Sequence, residues 1–259
     1  MYRIICFLVG LFVLSSVLPA QEQIKPNPEF YHTWLQYDLY IHLMSGKTPN
    51  EFHSPFNFVA QVYFPENSDR VLIGSFNEGA HYQFKVINKD TIEVFYPSRD
   101  RTEFVLNLEK INDKTILDIK SGNKKYLLAS LDDAYHAHSG VDYFVNDKFF
   151  TGNYIAEEDS NIKITFTSDG RLMGIENFNE YYIHVGRNFF PKDFDSVLLS
   201  EIVTNEKSKK VKDHLLLHWK KLEDKLILYN VSPSPEDMID HGKYDMKVLD
   251  KYLTLKKVD

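Results

Sequence analysis

The sequence predicts an all-β protein: two tandem antiparallel β-barrels with short helical inserts. Three observations lead to this prediction. Short segments alternate apolar and polar residues, turn residues recur about every 8 to 12 positions, and the two halves of the chain match each other. The aromatic content of 14% is dominated by Phe and Tyr, which favour half-buried pleated sheets.

The stretch ITFTSDGRLMGIENFNEYYIHV, residues 164–185, reads as a β-hairpin followed by the start of a third strand. Its Asp169-Gly170 pair supplies the positive φ that a tight hairpin turn needs. About a hundred residues earlier, VYFPENSDRVLIGSFNEGAHYQFKV repeats the same alternation. The matched pairs are Val62 with Ile164, Phe64 with Phe166, Tyr82 with Tyr181, Phe84 with Ile183, and Val86 with Val185.

The match continues where residues 103–119 lie against residues 213–231. Phe104, Leu106 and Leu108 match Leu215, Leu217 and Trp219, and the turn at Asn112-Asp113-Lys114 matches Glu223-Asp224-Lys225. Each half therefore contains about seven or eight short strands with one apolar face. A closed barrel and a sandwich both satisfy this pattern, and the strictly sequential hairpins favour the barrel.

We predict a signal peptide at residues 1–20, a first barrel at 28–131, a linker at 132–147 and a second barrel at 148–259. Arg3 precedes an apolar run at 4–18, and Pro19-Ala20 offers a cleavage site with a small residue. A membrane anchor is the competing interpretation, but the apolar run is shorter than the roughly 20 residues that span a bilayer. We therefore expect an exported protein, periplasmic or secreted.

Charge and cysteine content exclude several classes of function. The formal net charge is −7, so we expect no nucleic-acid partner, and no later apolar run predicts stable membrane insertion. The only cysteine, Cys6, lies inside the predicted signal peptide. Thiol chemistry and zinc–cysteine sites are therefore not expected in the mature chain, and its fold must be held by the core without disulfides.

Two short helical inserts are predicted outside the strands. Thr48-Pro49-Asn50-Glu51 has the pattern of a capping box with proline at the first helical position. The second insert begins at Ser234-Pro235 and ends at His241-Gly242.

The first strand of each half carries a short aromatic signature, His32-Thr33-Trp34 in one and Gly152-Asn153-Tyr154 in the other. These resemble the Gly-x-Trp signature of the lipocalin and calycin superfamily, in which the aromatic ring plugs the base of an eight-stranded barrel. Each copy departs from it, with histidine for glycine in one and tyrosine for tryptophan in the other. The F-x-x-D-G-x-x-x-G hairpin at 166–174 resembles lipocalin-like domains of exported bacterial proteins. The resemblance implies a barrel that can hold a small hydrophobic molecule.

Two pairs of histidines have spacings that could suit metal ligands, but neither pair predicts a metal site. His214 and His218 fall on a strand, on the side that the repeat assigns to solvent, and no third ligand accompanies them. His136 and His138 would project from the same side of an extended segment near Asp132, Asp133 and Asp142, but this segment is the predicted linker.

No motif for nucleophilic, phosphate or dinucleotide chemistry is present, so no cofactor is predicted and an enzyme is not favoured. The leading hypothesis is an exported, non-enzymatic protein that binds a small hydrophobic or amphipathic ligand in a β-barrel. The alternative is an envelope or secreted protein-interaction module with filled barrels, and an unrecognised hydrolase is a third hypothesis. The predicted ligand-lining residues are Trp34, Tyr82, Phe104, Tyr181 and Trp219, which could instead simply fill the core.

Overall fold

The structure is a computed structural model. It describes residues 24–52, 59–65, 68–74, 79–98, 101–131, 135, 140–185, 194–205, 208–232 and 246–258. The predicted signal peptide at 1–20 and the predicted helical insert at 234–242 lie outside these residues.

The first half of the chain forms a closed eight-stranded antiparallel barrel, here called barrel 1. Each strand pairs with the next one along the chain, and β8 returns to pair with β1, placing Ser130 opposite Trp34. The strands are β1 Thr33–Gln36, β2 Gln61–Tyr63, β3 Arg70–Gly74, β4 Gly79–Asn88, β5 Thr91–Phe95, β6 Thr102–Ile111, β7 Lys114–Ser121 and β8 Lys124–Ser130.

The second half forms an eight-stranded antiparallel sheet that curls in the same order, here called barrel 2. Its first and last strands pair, and the remaining seam, between β11 and β12, is joined by a single bridge between Arg171 and Glu180. The strands are β9 Gly152–Ala156, β10 Lys163–Phe166, β11 Leu172–Met173, β12 Glu180–Ile183, β13 Ser196–Asn205, β14 Ser208–Leu222, β15 Lys225–Ser232 and β16 Lys247–Val258. The predicted fold class of two tandem antiparallel barrels is confirmed.

The described helices are short. They comprise α1 Tyr37–Met44, α2 Gly140–Phe149 and single 3-10 turns at Pro28–Tyr31 and Pro49–Glu51. The turn at Pro49–Glu51 is closed by the predicted capping box, in which the Thr48 backbone N–H donates to Glu51 Oε2 at 2.6 Å. Within the part of the chain that the structure describes, no helix has the length and apolarity to cross a membrane.

The internal repeat is visible in specific contacts as well as in strand order. Trp34 Nε1 donates to the carbonyl oxygen of Phe30 at 3.1 Å, and Tyr154 Oη donates to that of Phe150 at 2.7 Å. Phe30 then packs on Phe64, and Phe150 packs on Phe166. Phe64 and Phe166 are the two phenylalanines that the sequence repeat matches to each other. The two unlike signatures therefore make the same contact at the start of each barrel.

The turns that close the matched hairpins also agree. Asn112 and Asp113 have φ values of 50° and 63°, and Glu223 has a φ of 52°. Such left-handed conformations suit two-residue hairpin turns, because their twist matches that of the flanking strands. The sandwich alternative is excluded, because β8 closes directly onto β1.

Residues 140–147, which the sequence assigned to a polar linker, belong to helix α2. Its apolar side chains, Val141, Phe144, Val145 and Phe149, join the buried cluster that fills barrel 2. Asn146 is also buried, and its Nδ2 donates to the carbonyl oxygen of Ser168 at 3.1 Å. The helix therefore packs against barrel 2, with contacts to both β12 and β1.

His184 follows β12 and points away from the interior of barrel 2, with Ser196 Oγ 3.2 Å from its Nδ1. Desolvation lowers the pKa of His184 from 6.5 to about 4. The unfolded chain therefore takes up a proton at His184 near pH 6.5, whereas the folded chain does so only near pH 4. The contribution of neutral His184 to the free energy of unfolding is complete above pH 6.5 and is lost as the pH falls towards 4. Between about pH 7 and pH 4 the free energy of unfolding of the parent chain should fall, and we expect this fall to be about 2 kcal/mol smaller in His184→Gln.

Urea unfolding at several pH values, followed by circular dichroism, measures this difference. The matched control is His81→Gln, which replaces an exposed histidine of β4. If His184→Gln has the same pH dependence as the parent chain, the assignment is wrong.

Candidate functional site: a cleft between the two barrels

Large side chains occupy both barrel interiors. In barrel 1, the three predicted ligand-lining residues Trp34, Tyr82 and Phe104 are at most 5% exposed and belong to one buried cluster. Tyr82 contacts Phe104 edge to face, with ring centroids 5.3 Å apart. In barrel 2, Tyr181 stacks on Phe150 at 5.5 Å. These side chains pack against one another as a core does.

Trp219 differs from the other four predicted residues because it also lies in the wall of a cleft. Its ring is fully buried and packs on Phe149 and Phe150, with centroids 5.5 and 5.2 Å apart. It also lines a cleft of about 660 Å³ that lies between the two halves of the chain. The role of the five residues in ligand binding stays a prediction, and only Trp219 reaches this cleft.

The two halves meet through a shared core beside the cleft. Leu39 and Leu43 of α1, in the first half, belong to the same buried cluster as the interior of barrel 2. Tyr40 stacks on Phe144 of α2 at 5.9 Å. These contacts fix one wall of the cleft relative to the other.

The wall from the first half is formed by the end of α1 and the loop that follows it. The loop turns at Gly46, which has a φ of +82°. His42 Nε2 donates to the carbonyl oxygen of Thr48 at 2.8 Å, and the backbone N–H of Asn50 donates to Asp195 Oδ1 of the second half at 3.0 Å. Hydrogen bonds therefore hold this loop both to its own helix and to the opposite wall.

The wall from the second half comprises Phe149, Asp195 and the end of β14 from His218 to Leu222, with its following turn. The carbonyl oxygen of Asp195 accepts two hydrogen bonds, from His218 Nδ1 at 2.8 Å and from the backbone N–H of Trp219 at 3.0 Å. Burial lowers the pKa of His218, which favours its neutral form. These two hydrogen bonds therefore hold residues 195, 218 and 219 together in this wall.

Both walls present apolar side chains that are left exposed. Met44, the last residue of α1, is 47% exposed, and Leu222, the last residue of β14, is 55% exposed. They line the same cleft from opposite halves. Because two large apolar side chains flank one concave space, this region is the candidate binding surface.

Lysines supply the charge at one side of the cleft. Lys221 Nζ donates to the carbonyl oxygen of Lys148 at 2.9 Å and lies 5.8 Å from the centroid of the Phe149 ring. Desolvation, followed by the neighbouring ammonium groups of Lys257 and Lys148, lowers the pKa of Lys221. Two further ammonium groups, those of Lys257 and Lys148, therefore lie near Lys221 on this side of the cleft.

A second depression, of about 490 Å³, lies at the seam of barrel 2. Its charged groups are paired: Arg171 Nε lies 3.0 Å from Asp169 Oδ2, and Glu180 Oε1 lies 3.1 Å from Lys209 Nζ. A surface whose charges already satisfy one another offers less to a ligand than the cleft between the barrels.

The histidines of β14 lie on a strand, as predicted, but His218 is not at the surface. It is 3% exposed and packs between the rings of Phe194 and Tyr229. The assignment to solvent was wrong for His218, because residues 194 and 195 cover this part of the outer face of β14. Among the described residues, no group of three His, Cys, Asp or Glu side chains is placed to hold a metal ion. His136 and His138 lie outside those residues.

Sequence reasoning missed Met44, Lys148, Lys221 and Leu222. One signal was available for Lys221, because the alternation of Leu215, Leu217 and Trp219 places position 221 on the same, apolar face of β14. A lysine at the next position of this face, two residues after Trp219, indicates the place where the apolar face reaches solvent. Met44 and Lys148 carry no such signal, because their role depends on how the two halves meet.

Comparison of the chain with family models, with curated proteins and with solved structures found no match.

Proposed function

We propose that this chain is an exported, non-enzymatic, lipocalin-like protein that binds one small amphipathic molecule. The binding site in this proposal is the cleft between the two barrels, rather than a barrel interior. The proposal keeps the ligand class that the sequence favoured and moves the site, because aromatic side chains occupy both interiors while the cleft is open. The observation that carries it is the pair of exposed apolar residues, Met44 and Leu222, facing one concave space beside cationic groups.

The size and wall composition of the cleft support this function. Its volume of about 660 Å³ falls within the range of roughly 300–1,000 Å³ typical of small-molecule sites. Its exposed apolar wall residues, Met44 and Leu222, would contact a hydrocarbon or ring, and buried Leu43, Phe149 and Trp219 support the walls from behind. Its lysines and carboxylates would remain near water, as an amphipathic ligand requires.

The order of both walls adds further support. Each wall is hydrogen-bonded through its backbone, at Thr48 and Asn50 on one side and at Trp219 on the other. A site that is formed before its ligand arrives loses less conformational entropy on binding. The cleft therefore does not need to refold around its ligand.

The test is a fluorescence titration of the full mature chain with phenylnaphthylamine, an uncharged apolar probe. We expect Met44→Gln and Leu222→Gln each to weaken its binding by about three- to tenfold, because each removes apolar contact area from the cleft. The matched controls are Ile41→Gln, on the same helix as Met44, and Val211→Gln, on the same strand as Leu222. Both control residues are exposed, at 45% and 60%, and neither lines the cleft.

If probe binding is equally sensitive to Ile41→Gln and Val211→Gln, the probe is reporting general surface adsorption and the proposed site is wrong. Absence of saturable binding contradicts the proposed function itself. All four substituted residues are at least 45% exposed, so their replacement should change stability little.

The alternative function, an interaction module with filled barrels, is favoured by one observation. The β13–β14 hairpin carries Val203 and Val211 at 46% and 60% exposure, near its turn. Exposed apolar residues on a hairpin edge are typical of strands that pair with a partner. Retention of a partner on immobilised chain, lost in Val203→Lys with Val211→Lys and kept in Met44→Gln, would favour this alternative.

A further inference from the structure

We infer that the ligand of the cleft carries an acidic group, and that Lys221 and Lys148 bind that group. This inference rests on the proposed function and adds the chemical class of its ligand. It predicts a molecule with an apolar body and a carboxylate, sulfonate or phosphate end, oriented with the acidic end towards the junction of α2 and β14.

Lys221 is held in place before any ligand arrives. One of its three N–H donors is used by the carbonyl oxygen of Lys148, and its ammonium group lies near the face of Phe149. Lys148 is held in a similar way, with its Nζ 5.6 Å from the centroid of the Phe144 ring. Two ammonium groups on ordered stems can therefore donate to a ligand oxygen with little further loss of freedom.

Neither lysine is neutralised by the described part of the protein. The ion pairs at this end of barrel 2 join Lys225 to Glu157 at 2.6 Å and Lys256 to Asp224 at 4.0 Å. Within the residues that the structure describes, no ion pair includes Lys148 or Lys221, and the neighbouring charge that acts on Lys221 comes from Lys257 and Lys148. Like charges gathered in this way are stabilised by an anion.

Two of the three carboxylates that line the cleft already accept hydrogen bonds from the backbone. Glu51 accepts from the backbone N–H of Thr48, and Asp195 accepts from that of Asn50. The walls carry four lysines against three carboxylates, although the whole chain has a net charge of −7. A cleft that is basic in an otherwise acidic protein favours an anionic ligand over a cationic one.

The experiment compares two probes that share one aromatic body. Anilinonaphthalene sulfonate carries an acidic group, and phenylnaphthylamine is its uncharged analogue. We expect Lys221→Gln to weaken binding of the sulfonate probe by about tenfold and Lys148→Gln by about threefold, as befits the loss of a charge-assisted contact. Binding of the uncharged probe should stay within about twofold of the parent value for both variants.

The internal repeat provides the matched control. Lys110 follows Phe104, Leu106 and Leu108 as Lys221 follows Leu215, Leu217 and Trp219, and it is exposed and does not line the cleft. Lys110→Gln should leave both probes unaffected, and Lys221→Arg should retain most of the sulfonate affinity because it keeps the charge. Added salt should weaken binding of the sulfonate probe more than binding of its uncharged analogue, because salt screens the charge interaction.

The outcomes separate this inference from the proposed function. If both probes bind in a way that depends on Met44 and Leu222, but Lys221→Gln changes both equally or neither, the cleft is a binding site without an anion subsite and the inference is overturned. If neither probe depends on Met44 and Leu222, the proposed function has failed and the inference falls with it.

Discussion

Replacing Trp219 with alanine is expected to lower the free energy of unfolding by about 3–5 kcal/mol. The indole ring is fully buried and sits between Phe149 of α2 and Phe150, so its removal leaves a cavity where helix α2 meets the interior of barrel 2. Close-packed neighbours relax only partly around such a cavity, which adds to the lost transfer free energy. Urea unfolding followed by circular dichroism measures the change.

Three further variants calibrate this result. Leu222→Ala, three residues along the same strand, should change stability by only about 0.5 kcal/mol, because Leu222 is 55% exposed. Trp219→Phe should cost less than Trp34→Phe, because Trp34 Nε1 donates to Phe30 while Trp219 Nε1 has no acceptor in the described structure. A loss below about 1 kcal/mol for Trp219→Ala would show that the ring does not support the core.

Gly174→Ala is expected to destabilise the chain by about 3 kcal/mol or more, through strain and steric overlap together. Gly174 has a φ of +91°, in a region that residues with a Cβ rarely adopt. A Cβ there would overlap the carbonyl oxygen of Lys163 and lie 3.1 Å from the Cα of Ile164. Both neighbours are backbone atoms of β10, so neither can move without disturbing the pairing of β10 with β9.

The matched control is Gly46→Ala. Gly46 has a similar φ of +82°, but a Cβ there would meet nothing within 4 Å. Its replacement should therefore cost only the conformational strain, about 1–2 kcal/mol. Comparing thermal unfolding of the two variants isolates the overlap with β10, and equal losses would contradict the close approach at Gly174.

The proposed binding site changes how the aromatic residues of this chain are understood. Packed aromatic side chains in the two interiors are compatible with a binding protein when two barrels together build a concave surface that neither has alone. In this arrangement, Trp34, Tyr82, Phe104 and Tyr181 stabilise the barrels, and Trp219 connects the core of barrel 2 to the cleft. The duplication would then serve to provide two walls rather than two separate pockets.

Much of the fold could be predicted because its signals are local. Alternation at Tyr82, Phe84 and Val86 defines which face of β4 is buried, and the turn at Asn112-Asp113 defines where β6 returns as β7. The internal repeat adds to this evidence, because a strand predicted in one half is matched by a strand predicted at the corresponding position of the other half. The start of α2, at residues 140–147, and the covered outer face of β14 carry no such signal, so the sequence predicts a linker where the helix begins and a solvent-facing His218 where the side chain is buried.

The sequence by itself determined the strands, their order along each sheet and the duplication, because side-chain alternation and turn conformation depend on residues close together in the chain. Only the tertiary structure decided where a ligand could bind. The cleft depends on contacts such as Tyr40 with Phe144, and Asn50 with Asp195, which join residues about a hundred or more positions apart. Such contacts have no period that a linear pattern could reveal, because they form only when two completed barrels pack against each other.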